Sequence, residues 1–252
     1  MSFNILFITQ DDPFYVRIFF EELLRCYPDP GKVKGVVIAQ AMGKKNMFQL
    51  ARQMYDFYGA VDFLKMGLRY AAYKMMNNSI SKLCAESGLH VMHETDINSR
   101  LFLNKIKAMN LDLIVSVASP LIFKKELIGI PRHGCINIHS GKLPRYRGML
   151  PNFWQMYHDE KSIGITIHEI NPKIDDGRIL LQKDVAILAG ETLDSLIKRT
   201  KKIGARLIIE AINRIKSGDV QYRENPVIEG TYFSFPTRED VQAFKRRGKK
   251  IM

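Results

Sequence analysis

Two apolar runs near the start of the chain do most to limit what it can fold into. Residues 4–9 (NILFIT) and 33–39 (VKGVVIA) carry apolar side chains on both faces of an extended backbone. Between them, residues 15–26 place Ile18, Phe19, Leu23 and Leu24 at helical spacing, and Pro28-Asp29-Pro30-Gly31 marks the turn into the second run. A strand buried on both faces, a helix and a second such strand form a β-α-β unit, whose parallel sheet needs helices over both sides. The expected fold class is therefore α/β, with a doubly wound, mostly parallel sheet.

The alternation continues downstream. Helices are expected over 79–87 and 99–109, and strands over 89–93, 111–117 and 135–139. Two further strand-like runs cover 162–170 and 178–188, and a long helix covers about 191–216. Residues 42–77, rich in Met, Tyr, Phe and Lys, read as a helical insertion, a surface hairpin capping the sheet. Beyond Gly218 the periodicity fades into a short C-terminal appendage over 221–252. On this reading 1–190 is one domain with an insertion at about 42–77, and 191–252 is a long helix with its appendage. A chain of 252 residues, 46% hydrophobic, is large enough to bury such a core.

Charge and cysteine usage narrow the setting. A formal net charge of +12 directs attention to nucleic acid, anionic membrane or a phosphate-bearing small molecule without choosing among them. Cys26, Cys84 and Cys135 are odd in number and far apart, which fits a reducing, cytoplasmic setting. The first residues lack the basic lead and cleavage site of a secretory signal, and no uncharged stretch approaches the roughly 18 residues of a membrane span. His90 and His93 have no third ligand near them, so no metal is expected. Trp154 is read as a packing residue, and the basic run Lys245-Arg246-Arg247-Gly248-Lys249-Lys250 as a solvated terminus.

Some chemistries are disfavoured outright. Where a dinucleotide-binding fold carries glycines, this chain has Thr9-Gln10-Asp11-Asp12-Pro13, and two carboxylates there would repel a pyrophosphate. Gly43-Lys44-Lys45 lacks the surroundings of a phosphate-binding loop. The richest stretch is instead residues 135–148, which end a strand and enter a Gly/Pro-rich loop. Asn137 and His139 stand two apart, so their side chains leave the same face of that strand. An amide donor beside an imidazole can hold a carbonyl oxygen while a proton moves. The second cluster, Asp175-Asp176-Gly177, offers a carboxylate that would orient His139 if the fold brought it near; taken alone, acids before Gly are ordinary turn chemistry.

Together the clusters resemble the 10-formyltetrahydrofolate-dependent formyltransferase family. The resemblance rests on Asn137-Ile138-His139, then Leu143-Pro144-Arg145-Tyr146-Arg147-Gly148, then Asp175-Asp176-Gly177, with the strand Gly164-Ile165-Thr166-Ile167-His168 between them. It is strong from about residue 111 to 181 and weak before that. It implies a Rossmann-like formyltransferase fold with 1–190 as the catalytic domain, and an enzyme using 10-formyltetrahydrofolate as co-substrate. It implies Asn137, His139 and Asp175 as the catalytic residues, with Asp176 as the turn residue. Around the folate it places Leu121, Ile122 and Phe123, the loop Gly141, Lys142, Leu143 and Pro144, and Ile170, Lys173 and Ile174. Gly141 and Lys142 depart from the family's usual Ser-Leu at these positions.

The acceptor amine is read by elimination among the family's classes. The loop after the first strand is not the Gly-rich phosphate loop of glycinamide ribonucleotide enzymes, the sheet begins at once, unlike in the deformylases, and the tail is short for a tRNA-binding barrel. The remaining resemblance is to sugar N-formyltransferases, which formylate nucleotide-linked amino sugars and share a tail like Thr231-Tyr232-Phe233-Ser234-Phe235-Pro236. Gln10, Arg147 and Tyr232 are the expected acceptor-binding residues. Partners are then the folate and the nucleotide-linked amino sugar, with a homodimer conceivable and nucleic acid not expected. A methionyl-tRNA formyltransferase with a reduced C-terminal region, or a basic RNA-binding protein retaining the fold, are the alternatives.

Overall fold

A computed structural model describes residues 3–27, 29–40 and 46–252. Pro28 of the expected turn and residues 42–45, which open the expected insertion, lie outside the described residues. Along the chain run β1 (Ile5–Thr9), α1 (Val16–Cys26), β2 (Val33–Ala39), α2 (Met47–Met75), α3 (Ile80–Glu86), β3 (Val91–Glu94), α4 (Arg100–Lys107), β4 (Leu113–Val117), α5 (Lys125–Ile128) and β5 (Cys135–His139). Then follow β6 (Arg147–Gly148), α6 (Pro151–Tyr157), β7 (Ser162–Glu169), β8 (Ile179–Ala186), α7 (Leu193–Ser217), β9 (Tyr232–Phe233) and α8 (Arg238–Arg246).

Seven strands form one sheet in the order β3-β2-β1-β4-β5-β7-β8, and β6 pairs with β9 in a second, two-stranded one. The strands up to β5 are mutually parallel, and β7 and β8 join antiparallel. The sheet is thus mostly parallel, as the repeated β-α-β pattern requires. Residues of β1 alternate between two cores: Ile5 and Phe7 pack on one side with Phe19, Phe20, Leu196, Ile208 and Ile212 of α1 and α7, while Leu6 and Ile8 pack on the other with Phe102, Ile106 and Leu127 of α4 and α5. That two-sided burial is why the strands read as continuous apolar runs. Among the described residues no helix is long and apolar enough to cross a membrane.

Helix α7 bears directly on the site because it presses on β5. A Cβ added at Gly204 would stand 2.6 Å from Ile138 Cδ1, so this helix approaches the strand that carries Asn137 and His139 as closely as a bare backbone allows. Its first turn is capped from far along the chain. Thr192 Oγ1 accepts from Ser195 N at 3.2 Å, and the N–H groups of Leu193 and Asp194 donate to the carbonyls of Lys250 and Ile251 at 2.9 and 2.8 Å.

The basic run is exposed at Lys245, Arg246, Arg247 and Lys250, as expected of a solvated terminus, but it is also tied to the fold. Val241 and Phe244 bury one face of α8, and Phe244 stacks on Phe153 of α6 at 4.7 Å. That docking carries Arg247 and Lys249 to the C-terminal end of α6, where they donate to the carbonyls of Tyr157 and Met156. Cations complement the unpaired carbonyls there, so these charges are spent within the fold. The insertion α2 is helical but broken at Gly59 (φ 76°, ψ 170°), a left-handed conformation that glycine adopts without cost.

Candidate active site

The chemistry-bearing residues meet near the carboxyl end of β5. In the β5–β7 ladder Asn137 lies opposite His168 and His139 opposite Thr166, so four polar side chains share one region of an otherwise apolar sheet. The 170–177 segment folds back across this face. It is secured by Asn225, whose Nδ2 donates to the carbonyls of Asp175 and Gly177 at 3.0 and 3.1 Å and so supports Asp175 at a φ of 50°. Asp175 Oδ1 then stands 3.7 Å from both His139 Nδ1 and His168 Nε2, and its Oδ2 accepts from Gly148 N at 2.9 Å. Asp176 turns away and accepts from Asn171 Nδ2 at 3.1 Å.

The two histidines are not equivalent. His168 Nδ1 lies 2.8 Å from the Glu169 carbonyl, which can only accept, so that nitrogen carries the proton. Burial disfavours a second proton and pushes its pKa down to about 4, against the attraction of Asp175. Nε2 is therefore a lone-pair acceptor, and it receives the Asn137 Nδ2–H at 3.1 Å. This bond decides which way the Asn137 amide points and leaves its second N–H free. His139 is arranged otherwise. Its Nε2–H donates to the Tyr146 carbonyl at 2.7 Å, while Nδ1 stands 3.7 Å from the Asp175 carboxylate.

The loop after β5 is held in place by other strands. Thr166 Oγ1 donates to the Gly141 carbonyl at 2.6 Å, and Gln182 Nε2 of β8 donates to the Leu143 carbonyl at 2.9 Å. At Gly141 an added Cβ would lie 2.4 Å from His139 Nε2 and 2.6 Å from the Tyr146 carbonyl. Gly141 thus has a steric reason to lack a side chain: its backbone touches the imidazole.

Of the residues expected around the folate, Phe123 is buried in the second core, Leu121 and Ile170 are packed against it, and Ile122 and Ile174 are exposed. Leu143 is buried, and Pro144 is half-buried with its carbonyl against Gly230. The Lys142 ammonium pairs with Asp184 of β8 at 2.6 Å, and Lys173 is an exposed loop residue whose N–H donates to Asn171 Oδ1. A cleft of about 340 Å³ borders this segment, lined by Ile128, Cys135, Ile170, Asn171 and Asp176 among others. A second cleft, of about 380 Å³, lies between α6 and the tail, away from the histidines. Of the expected acceptor residues, Arg147 and Tyr232 are partners across the β6–β9 pair, while Gln10 follows β1, two strands from β5. Arg147 Nη2 donates to the Ile174 carbonyl at 2.6 Å, and its Nε is buried without a partner.

Reasoning from sequence did not single out His168, Asn225 or the Gly148 N–H. A signal for the first existed: Thr166 and His168 are polar at alternate positions of an apolar strand, the spacing that places both on one face.

The comparisons with known proteins agree with this geometry. A methionyl-tRNA formyltransferase of Thermodesulfovibrio yellowstonii is 36% identical over 139 residues, 55% of this chain and 45% of the relative. The chain spans about half the length of the curated relatives it matches. Among solved structures, a sugar N-formyltransferase from Shewanella sp. FDAARGOS_354 shares the fold at a TM-score of 0.60 and 21% identity, covering 93% of this chain and 77% of that one. An N-formyltransferase from Helicobacter canadensis, solved with folinic acid and dTDP-3-aminofucose, gives a TM-score of 0.61 at 18% identity, with 94% and 72% covered. The family model described as Formyl transferase matches residues 66–212, a span that contains Asn137, His139, His168 and Asp175. The chain belongs to the formyl transferase family.

Proposed function

We propose that this chain transfers the formyl group of 10-formyltetrahydrofolate to a primary amine of a nucleotide-linked amino sugar by direct attack. The observation that carries the reading is the convergence of Asn137, His139 and Asp175, with Asp175 Oδ1 3.7 Å from the His139 ring and the Asn137 amide oriented by His168. The neutral amine attacks the formyl carbon. The free Asn137 N–H holds the oxygen as it gains charge, joined by His139 Nε2–H once it exchanges the Tyr146 carbonyl for the substrate, a role that preorganised donors in a dry site perform well. Asp175 takes the amine proton as the new C–N bond forms and gives it to N10 as the bond to folate breaks, so the carbonyl re-forms and Asp175 is left as a carboxylate. Of the three cysteines, burial pushes the thiols of Cys84 and Cys135 well above their ordinary range, so neither is suited to act as a nucleophile.

The folate is assigned to the segments 121–123 and 170–174, where Leu121, Phe123 and Ile170 supply apolar surface beside a cleft that also holds Asn171 and Asp176. For the acceptor, support comes from the β6–β9 pair. It sets Tyr232, whose side chain is exposed, opposite Arg147 in the strand register. An exposed ring that can stack on a base, in the same strand pair as a guanidinium, suits a nucleoside diphosphate. The second reading is a methionyl-tRNA acceptor, favoured by the identity to methionyl-tRNA formyltransferases. Tetrahydrofolate release with a panel of nucleotide-linked amino sugars, run beside methionyl-tRNA, separates the two. Release with a sugar substrate alone supports the proposal, and release with the tRNA alone replaces it.

A further inference from the structure

Helix α2 carries a stripe of large apolar side chains on the side it turns to solvent. After the break at Gly59, Met66 is buried and Arg69 reaches Asp194 of α7 at 3.2 Å. On the opposite face Val61, Leu64, Leu68 and Met75 are 69%, 66%, 65% and 87% exposed. Their steps of three, four and seven residues follow the 3.5-residue repeat of a helix-pairing seam. Ala71 and Ala72 continue the seam, and Gly67 beside it has open space where a Cβ would stand. The exposed cations Lys65 and Lys74 lie towards its edges.

A contiguous stripe of large apolar side chains on a helix is normally buried. With the neighbouring Met76, the stripe offers on the order of 700 Å² of apolar surface, well above a scattered-residue background and close to the ~800 Å² per partner of a standard interface. The stripe is also complementary to itself when run antiparallel. A two-fold axis at Leu68 sets Leu64 opposite Ala72 of the second copy and Val61 opposite Met75, so a larger side chain meets a smaller one in the layer next to the axis. Gly67 and Ala71 allow the helix axes to approach to the near end of the usual 8–10 Å range. We propose that the outer face of α2 pairs two copies of this chain through antiparallel contact centred on Leu68.

Sedimentation velocity of the full chain across the micromolar range tests this. The wild-type chain is expected to dimerise, and Leu68→Glu to weaken association by at least roughly thirtyfold, the loss typical of a central interface residue, with an unchanged far-UV circular dichroism spectrum because the side chain is exposed. In a Cys26→Ser background, Leu68→Cys should form an intermolecular disulfide readily, since residue 68 meets itself on the axis, whereas Val61→Cys should not. A wild-type chain that is monomeric throughout overturns the proposal, as does a dimer that Leu68→Glu leaves intact. Binding of a monomeric wild-type chain to phosphatidylglycerol-containing vesicles, lost in Leu68→Glu, would instead assign the face to a lipid surface.

Discussion

His168 shows how much the site depends on a side chain that need not touch the substrate. Being neutral in the fold, it accepts from Asn137 and so presents that amide's other N–H to the reaction. His168→Leu removes the acceptor, and the turnover number should fall roughly ten- to a hundredfold with KM little changed, as for the loss of an orienting partner. His168→Gln, which can still accept from Asn137, should recover much of that loss. The same residue carries a pH signature. Its folded pKa, about 4, lies below the 6.5 of the unfolded chain, so the unfolded state binds more protons between those values. Stability from this group is present above pH 6.5 and is lost as pH falls towards 4, at most roughly 3 kcal/mol. Urea unfolding should show that acid slope flattened in His168→Gln, and an unchanged slope would remove the assignment. Gly141→Ala tests the contact from the other side. Its Cβ would displace the His139 ring and press on the Tyr146 carbonyl, so turnover should drop about a hundredfold and the melting temperature should fall as well. At this scale Asn137 and His139 were legible because two polar residues at strand spacing interrupt an apolar run. Asn225 was not, because its role is to fix a backbone 50 residues away.

Among the elements, strands β1, β2 and β5 and helix α1 could be read almost residue for residue, since burial on both faces of a central strand leaves a continuous apolar word. What escaped was of two kinds. Helices α5 and α6 have four and seven residues, too short for a periodic signal. The β6–β9 pair is two residues on each side and exists only because distant segments meet. The tail shows the same dependence on long-range contact. Its basic run reads as solvated by composition, yet its carbonyls cap α7 and its side chains cap α6. Ile251, 2% exposed, anchors that tie. Ile251→Ala should cost about 2–4 kcal/mol in a denaturant titration, whereas a solvated terminus would register almost no change.

For the whole molecule, the net charge of +12 already has its ion pairs subtracted, and Arg247 and Lys249 show that some of the cations also serve the fold at the end of α6. The charge alone therefore does not select nucleic acid. The arrangement of the sheet argues for more, because it brings one amide, one imidazole and one carboxylate to a single crevice in a chain of the formyl transferase family. Their shared role is tested most directly by the single-turnover rate of tetrahydrofolate formation in Asp175→Asn, with the acceptor that supports the wild-type protein. Asn keeps the size of the side chain and its bond from Gly148 but lacks the negative charge and cannot accept a proton as a carboxylate does. The account predicts a rate lower by roughly 10²–10⁴ with folate binding retained. A rate within a few-fold of wild type would contradict it.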